Sequence, residues 1–382
     1  MKAIINANIV LTNSIIFDGV ILIENDRIID FGEKSNIKIP SGAVVINAKG
    51  NYAAPGFIDL HTHSGGGIWF YEDPEAACAH ILKHGITSVF PALYYNMDQA
   101  EFLKGIRDLK AASKQGAGRI IEGIYMEGPY LNPKYGCDAA NYKWKEGVLK
   151  EKYQPLIDEA GKFAKIWCIA PEVENIETFV DDVRIMDPHA VFSVAHSEAT
   201  PYQVLDLVPK GLRLATHHTN ATGDLPKYPE CRGVCVDEAV NYSDDIYAEL
   251  IVDSKGIHVD PFMLKLVLKI KGKDKVILIS DACVFDGPIP PGYDGVTDIN
   301  FDFDGQIAGS KLTMDVACQN MMKHTGSGIC DLFKFAAYNP SKLLGISDIG
   351  SIAKGNRANI VIVDDKINVK QVMLNGELVK VL

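Results

Sequence analysis

Eight short apolar runs, each followed by an amphipathic helical segment, occupy the middle of the chain and constrain its fold more than any other feature. Runs rich in Val and Ile that alternate with helices are typical of a parallel sheet covered on both faces. Eight such units fit a closed (β/α)₈ barrel of the TIM type better than an open sheet. A doubly wound sheet is the alternative, but no glycine-rich dinucleotide fingerprint follows the first run. The runs are FIDLHTH, ITSVFPAL, IIEGIYMEG, KIWCIAPE, AVFSVAHS, LRLATHHTN, AELIVD and KVILISDA.

The two ends of the chain have a different sequence pattern, with strand-like runs and no helix-length period. Residues 1–52 carry strand-like runs separated by turn signals, and the stretch from Gly350 onward repeats this pattern with a strong hairpin turn at Asn375-Gly376. Chain ends often lie close together on a domain surface. We therefore predict a small β-sandwich domain from residues 1–52 plus 350–382, and a barrel domain over residues 53–349.

Charge and cysteine content narrow the classes of partner and compartment. The net charge of −11 and the isoelectric point near 5.4 disfavour a nucleic-acid or anionic-membrane partner. The amino-terminal residues alternate like a strand and not like a signal peptide, and no apolar run has membrane-spanning length. Eight scattered cysteines fit a reducing cytoplasm, and the Cys231–Cys235 pair by itself is weak evidence for a metal site.

The segment that ends the first predicted strand, Asp59-Leu60-His61-Thr62-His63 followed by Ser-Gly-Gly-Gly, is the strongest local signal. Side chains two apart on a strand point to the same face, so His61 and His63 can reach one ion. The glycines let the backbone turn closely over such a site. Taken alone, this motif fits a structural role equally well.

Further polar side chains end other predicted strands, where barrel enzymes build their active sites. A charged or imidazole group in an apolar strand is costly unless it is paired, protonated or metal-bound. With the two histidines above, six such groups converge on one face and favour a metal centre over a polar core. The additional four are Glu127, His196, His217 and Asp281.

Imidazole and carboxylate ligands suit Zn²⁺, Fe²⁺, Mn²⁺ or Co²⁺. Glu127, His196 and His217 can form a three-ligand site with an open position for water. His61 and His63 could hold a second ion with Glu127 bridging, or assist the first site, so one or two ions remain open. Asp281 is the expected general acid/base, with a helix N-cap as its structural alternative.

The chain resembles N-acetylglucosamine-6-phosphate deacetylases of the amidohydrolase superfamily, from about residue 50 to the carboxyl end. This resemblance implies a metal-dependent enzyme that deacetylates a small amino-sugar substrate, with a barrel and a small β-domain, as a homodimer. It is carried, in order, by PGFIDLHTHSGGG, MEGPYLNPK, APE, AHSEAT, THHTNAT, GIHVDP, SDA, AGSKLTM, NPSKLLG and GSIAKGNRANIVIVDD.

The resemblance also implies roles for individual residues. Glu127, His196 and His217 match the principal metal ligands, and Asp281 matches the catalytic acid/base. His61 and His63 match a second metal site that some members lack. The implied substrate contacts are His258, the pair Asn220 and Ala221, which would help bind the sugar phosphate, and the backbone near Ile307, which would approach the acyl group. His218 stands where the family usually has an apolar residue, and the TH pattern selects His217 as the ligand.

Three departures from the family pattern concern the sugar phosphate. Gly-Ala-His becomes Gly136-Cys137-Asp138, and Asn-Ala-Met ends in Thr222. The arginine that family dimers contribute to the neighbouring subunit's phosphate is out of register, the nearest candidate being Arg232. A carboxylate near a phosphate is repulsive, and arginine is the residue best matched to phosphate. We therefore expect N-acetylglucosamine 6-phosphate not to be the best substrate, unless Arg232 acts from a shifted loop.

Two other functions remain as alternatives. A barrel metal site could act on another N-acyl group, a cyclic amide or an ester, because a fold does not determine its chemistry. Against a cyclic amidase, no lysine ends a predicted barrel strand, and Glu127 holds the bridging position. A non-catalytic metal-binding homologue is disfavoured, since all the expected ligands and Asp281 are present.

Overall fold

The computed structural model of the chain describes residues 1–136, 139–223, 225 and 227–379. Eight parallel strands pair with their neighbours in chain order, which confirms the predicted (β/α)₈ barrel. The Asp281 amide donates to the His61 carbonyl (2.9 Å) and brings the eighth strand to the first. The barrel strands are Phe57–Thr62, Ile86–Tyr94, Ile124–Glu127, Ala164–Ile169, Val191–Val194, Leu212–Ala215, Tyr247–Ile251 and Val276–Ile279.

A helix follows each barrel strand, and polar caps determine where several of the helices begin. Asp73, Asp98 and Asp260 each accept hydrogen bonds from first-turn amides, and Asp98 also forms a capping box with Glu101. The outer helices are Pro74–Lys83, Gln99–Ala112, Lys150–Ala160, Ile176–Met186, Pro201–Asp206, Val236–Tyr242, Pro261–Lys271 and Met314–Thr325. A hairpin, Ile299–Phe301 and Ile307–Ser310, precedes the eighth of them, and the short helices Ile329–Phe333 and Asn339–Leu343 follow it.

The barrel core lies between the sheet and these helices. Every residue of the strand Val276–Ile279 is buried, as expected for a strand covered on both faces. Aromatic side chains fill the gap to the outer helices, and the ring of Phe179 packs edge-to-face on Trp167 at 5.5 Å and on Tyr153 at 5.2 Å. Burial of each such side chain stabilises the fold by roughly 1.5–3 kcal/mol.

Strands from both chain ends form one separate sheet, as predicted. An apolar cluster that includes Ile4, Ile21 and Ile360 packs within it. Asn375 and Gly376 both have positive φ at the hairpin turn that the sequence predicts. In spatial order the strands are Glu377–Leu378, Val369–Leu374, Ile360–Val363, Tyr52–Pro55, Lys2–Val10, Ile15–Glu24 and Arg27–Glu33, and Val44–Asn47 pairs with Lys2–Val10.

Contacts between this terminal sheet and the barrel join the two parts. The Arg357 guanidinium pairs with Glu122 at 2.5 Å and with Asp348 at 3.2 Å. The domain limits 52/53 and 349/350 remain a prediction. No disulfide joins the cysteines that the structure describes, and within those residues we find no helix with the length and apolar character that a bilayer crossing needs.

Candidate metal centre and active-site cavity

The structure brings together the six polar residues that the sequence singled out at the carboxyl ends of the barrel strands. His61 lies in the first strand, and Glu127 is the last residue of the third. The others lie just beyond the first, fifth, sixth and eighth strands: His63, His196, His217 and Asp281. All six are buried.

Glu127 is at the centre of this group and presents each of its carboxylate oxygens to a different pair of histidines. Its Oε1 lies 2.8 Å from His196 Nε2 and 3.4 Å from His217 Nε2. Its Oε2 lies 3.0 Å from His63 Nε2 and 3.6 Å from His61 Nε2. One carboxylate therefore joins two sets of donors, as a bridging ligand would.

The backbone at three strand ends adopts the left-handed region that non-glycine residues rarely enter. The φ angles are 42° at His196, 32° at His217 and 47° at Asp281. Such conformations cost on the order of 1–3 kcal/mol each and persist where surrounding contacts impose them. Backbone hydrogen bonds do so here, because the Asn132 amide donates to the His196 carbonyl at 2.9 Å. The turns direct the three side chains toward the barrel mouth.

The donors fit a transition metal. Two groups of three, His61, His63 and Glu127, and Glu127, His196 and His217, each offer ligand atoms within 4.8 Å of one another. Ligands around a tetrahedral ion, with bonds of about 2.1 Å, lie about 3.4 Å apart, which is close to these separations. Among the described residues, the His61 ring nitrogens have no hydrogen-bond partner despite full burial. A mixed imidazole and carboxylate set suits a borderline ion, whereas calcium prefers oxygen alone.

Mutual electrostatics control protonation within the group. Burial disfavours a charged imidazole, but the carboxylates of Asp281 and Glu127 outweigh it and hold the pKa of His61 well above its usual value. Burial also disfavours the charged form of His63, but the same two carboxylates raise its pKa to about 9. Burial would raise the pKa of both carboxylates, yet the imidazoles hold it below its usual range, far below for Glu127. Both carboxylates are thus ionised at neutral pH.

Glu249 is a member of the site that sequence reasoning missed. It lies in the seventh strand, is fully buried inside the barrel, and places Oε2 3.5 Å from His61 Nδ1. Tyr125 Oη donates to the same oxygen at 3.1 Å, and the Tyr125 ring stacks on His61 at 4.3 Å between centroids. The only available signal was an acidic residue inside the apolar run AELIVD.

The two adjacent histidines of the sixth strand's carboxyl end point in different directions. His217 Nε2 lies 3.2 Å from His196 Nε2 in the centre. His218 is buried elsewhere, with Nε2 3.2 Å from Asn241 Oδ1 and Nδ1 3.6 Å from Asp237. Of this pair, the structure therefore brings only His217 into the group.

A cavity of about 400 Å³ opens over the centre, and part of its wall is polar. Asn220, Ala221 and His258 line this part. Asp253 accepts a hydrogen bond from His258 Nδ1 at 3.1 Å and another from its backbone amide at 2.8 Å. In the described part of the chain, His258 Nε2 and Asn220 Nδ2 have no hydrogen-bond partner. Two buried polar atoms are thus available to a ligand.

The opposite part of the wall is aromatic, and sequence reasoning did not predict it. Its residues follow or end the first, second and eighth strands: Trp69, Tyr94, Tyr95 and Phe285. Ile307, on the hairpin before the eighth outer helix, lines the same cavity, as does Gly309. A Cβ at Gly309 would lie 2.5 Å from the Asp281 carbonyl, so glycine allows this hairpin to approach the site.

The sequence associates Arg232 and the Cys137-Asp138 pair with phosphate binding. The Arg232 side chain is 81% exposed and pairs with Glu238 at 2.8 Å, so within this chain it lies apart from the centre. Cys137 and Asp138 lie outside the described residues. Lys134, at the cavity edge, pairs with Glu198 at 2.6 Å.

A barrel with a polar metal-binding group at the carboxyl ends of its strands defines a class of metal-dependent hydrolases. The sequence profile of the amidohydrolase family matches residues 52–379, so the chain belongs to the amidohydrolase family and is a hydrolase of carbon–nitrogen bonds.

Three relatives that match most of the chain are deacetylases of amino-sugar phosphates. The N-acetylglucosamine-6-phosphate deacetylase of Bacillus subtilis is 29% identical, and the match covers 97% of this chain and 95% of the relative. The N-acetylgalactosamine-6-phosphate deacetylase of Escherichia coli O157:H7 is 26% identical over 85% and 86% of the two chains. The crystal structure of N-acetylglucosamine-6-phosphate deacetylase from Pasteurella multocida superposes with a TM-score of 0.84 at 26% identity, covering 99% of each chain.

Proposed function

We propose that this enzyme removes the acyl group from the nitrogen of an N-acetylated amino sugar, phosphorylated or free. The observation that carries the proposal is the convergence of four imidazoles on Glu127, with Asp281 Oδ1 3.3 Å from His63 Nε2. The relatives, which are deacetylases of two different amino-sugar phosphates, support the choice of bond and of substrate class.

The ligands proposed for metal follow from the geometry of Glu127. Glu127, His196 and His217 would hold one divalent ion of zinc, iron, manganese or cobalt. His61 and His63 would hold a second where one is present, with Glu127 bridging. A bound ion supplies an activated water and polarises the scissile carbonyl.

Asp281 would move the proton. It lines the cavity and its carboxylate is ionised at neutral pH, because the neighbouring imidazoles lower its pKa against burial. An ionised carboxylate can accept a proton from the attacking water and return it to the leaving nitrogen, which departs as an amine. The left-handed backbone at Asp281 directs the side chain to this position.

The polar wall would orient the sugar. Nδ1 of His258 lies 3.1 Å from Asp253, and its Nε2, which has no partner among the described residues, faces the cavity. Asn220 Nδ2 offers a donor on the neighbouring loop. Both atoms would bond to sugar hydroxyls, and a ligand lacking those hydroxyls would leave them buried without partners.

We further propose that N-acetylglucosamine 6-phosphate is not the best substrate. Lys134 is already neutralised by Glu198, and Arg232 pairs with Glu238 outside the cavity. A phosphate that used either cation would have to displace its carboxylate, unless Arg232 came from a second subunit. A homodimer and a cytoplasmic location are also part of the proposal, from the family resemblance and the scattered cysteines.

The test is a panel of N-acetylated amino sugars, with and without a 6-phosphate, assayed for released acetate with metal-loaded and chelated protein. We expect metal-dependent release from at least one member, and a higher kcat/KM for another member than for N-acetylglucosamine 6-phosphate. No release from any amino sugar, together with hydrolysis of a cyclic amide or ester, would replace the proposed function by that alternative.

A further inference from the structure

The loop after the first barrel strand places a tryptophan over the centre. Residues Ser64–Gly65 and Ile68–Trp69 form a two-stranded hairpin whose turn residues, Gly66 and Gly67, have φ of 63° and 78°. Two positive φ angles define the tight hairpin turn that suits the twist of the strands. A Cβ at Gly66 would lie 2.7 Å from the His80 ring, so this turn requires glycine there.

Backbone hydrogen bonds hold this hairpin in place. The Ser64 amide donates to the Ala282 carbonyl at 2.9 Å, and the Phe70 amide donates to the His63 carbonyl at 3.1 Å. Phe70 is fully buried directly after Trp69. The backbone that carries Trp69 is therefore held at the rim of the centre, and the ring centroid of Trp69 lies 6.2 Å from that of His63.

Trp69 belongs to a cluster of rings that faces the cavity. Its ring is nearly parallel to that of Tyr94, with centroids 5.8 Å apart, and perpendicular to that of Phe285 at 5.8 Å. The ring centroid of Tyr94 lies 5.4 Å from that of His63. All three rings line the cavity and are only half-buried. Large apolar surfaces left uncovered in a cavity are characteristic of ligand sites.

The position of this cluster assigns it to one end of the substrate. Asn220 and His258, in the polar wall, follow the sixth and seventh barrel strands. The three rings lie after the eighth and first strands and at the end of the second strand. In the proposed function the leaving nitrogen carries the sugar toward the polar wall. The other substituent of the carbonyl carbon, the acyl group, must then extend toward Trp69, Tyr94 and Phe285.

We propose that the rings of Trp69, Tyr94 and Phe285 form an acyl subsite that takes groups larger than acetyl, above all a flat aromatic acyl group. Aromatic side chains bury roughly 150–250 Å² each when covered, far more than one methyl group can cover. An acyl ring would pack edge-to-face or offset-stacked on these side chains. The inference rests on the proposed function and adds the chemistry of the acyl end.

The experiment compares kcat/KM for N-acetyl-, N-butyryl- and N-benzoylglucosamine, each with and without a 6-phosphate, by measuring the released amine. We expect the benzoyl compound to be hydrolysed at least as efficiently as the acetyl compound. Trp69→Ala should lower the benzoyl-to-acetyl ratio by about tenfold or more, the usual effect of lost apolar contacts on discrimination. Trp69→Phe should retain most of the ratio.

Phe262→Ala is the matched control, because Phe262 is an aromatic residue 76% exposed on an outer helix. The benzoyl-to-acetyl ratio of kcat/KM for Phe262→Ala should equal that of the unmodified enzyme. Metal content and the unfolding midpoint of each variant separate a binding effect from misfolding. A kcat/KM for the benzoyl compound below about 1% of that for the acetyl compound would overturn this inference but not the proposed function. The same holds if Trp69→Ala and Trp69→Phe each lower kcat/KM equally for both compounds. Failure to hydrolyse any N-acylglucosamine would overturn the proposed function as well.

Discussion

The terminal sheet and the mouth of the barrel both bury side chains, but of opposite kinds. The terminal sheet encloses aliphatic residues such as Ile4, which pairs with Ile21, and Ile360, which pairs with Met373. The barrel mouth encloses carboxylates and imidazoles, and among the described residues the buried ring nitrogens of His61 there have no hydrogen-bond partner. The first region stabilises the fold, and the second gives up stability for chemistry.

The magnitudes support this division. A buried aliphatic side chain contributes roughly 1.5–3 kcal/mol, whereas each buried polar group left without a hydrogen-bond partner costs about 1–3 kcal/mol. Substitutions in the barrel mouth should therefore remove function and leave the fold intact. Substitutions in the terminal sheet should do the reverse. Four variants test this contrast, from the largest expected effect on turnover to the smallest.

Glu127→Ala should have the largest effect, because it removes the carboxylate shared by both groups of histidines. We expect loss of most of the bound metal and activity near that of chelated protein, with the unfolding midpoint of the metal-free state retained or raised. His61→Ala should lose at most a second ion. The measurements are elemental analysis and kcat. Full metal content with normal turnover in Glu127→Ala would refute the assigned centre.

Asp281→Asn should come next, since it keeps the shape of the side chain but removes the proton acceptor. Turnover should fall by a factor on the order of 10² to 10⁴, with metal content unchanged. Steady-state kinetics and elemental analysis on the same preparation check both expectations. If this variant retains near-normal turnover, another group moves the proton.

Glu249→Gln should have a moderate effect through the position of His61. Partners that orient a ligand histidine typically contribute 10–100-fold in metal affinity. We expect a loss of about that size in competition with a chromogenic chelator, and a smaller loss in kcat at saturating metal. Glu159→Gln is the control, because that carboxylate pairs with Arg107 on the outer helices. Equal metal affinity in both variants would mean that Glu249 is only a structural residue.

Ile360→Ala should have the smallest effect on turnover and the clearest effect on stability. The side chain is fully buried in the terminal sheet, and removing it should lower the free energy of unfolding by about 2–5 kcal/mol. The kcat of the folded, metal-loaded enzyme should be unchanged. Val45→Ala in the same sheet, where Val45 is 53% exposed, should stay within about 0.5 kcal/mol. A fall in kcat for Ile360→Ala at a temperature where it is folded would break the contrast.

The barrel and the group around Glu127 could be predicted from the sequence because both are local patterns. Each strand is a short β-branched run, and a polar residue at its end faces the barrel mouth wherever that strand lies in the ring. Asp281 follows the eighth strand and His63 follows the first, and these two strands are neighbours in a closed eight-stranded barrel, so counting the strands is enough to predict that the two residues lie close together. The family resemblance supplies the roles that are proposed for these residues.

Glu249, the orientation of His258 and the aromatic wall depended on the tertiary structure. A barrel strand is buried on both faces, so the sequence of the seventh strand does not reveal that Glu249 faces inward. Trp69 and Phe285 are 216 positions apart and meet only because the barrel closes between its eighth and first strands. The sequence by itself determined which local elements form and which of their ends are polar. Only the closed barrel decided which distant side chains share a cavity, because those contacts depend on packing between strands far apart in the chain.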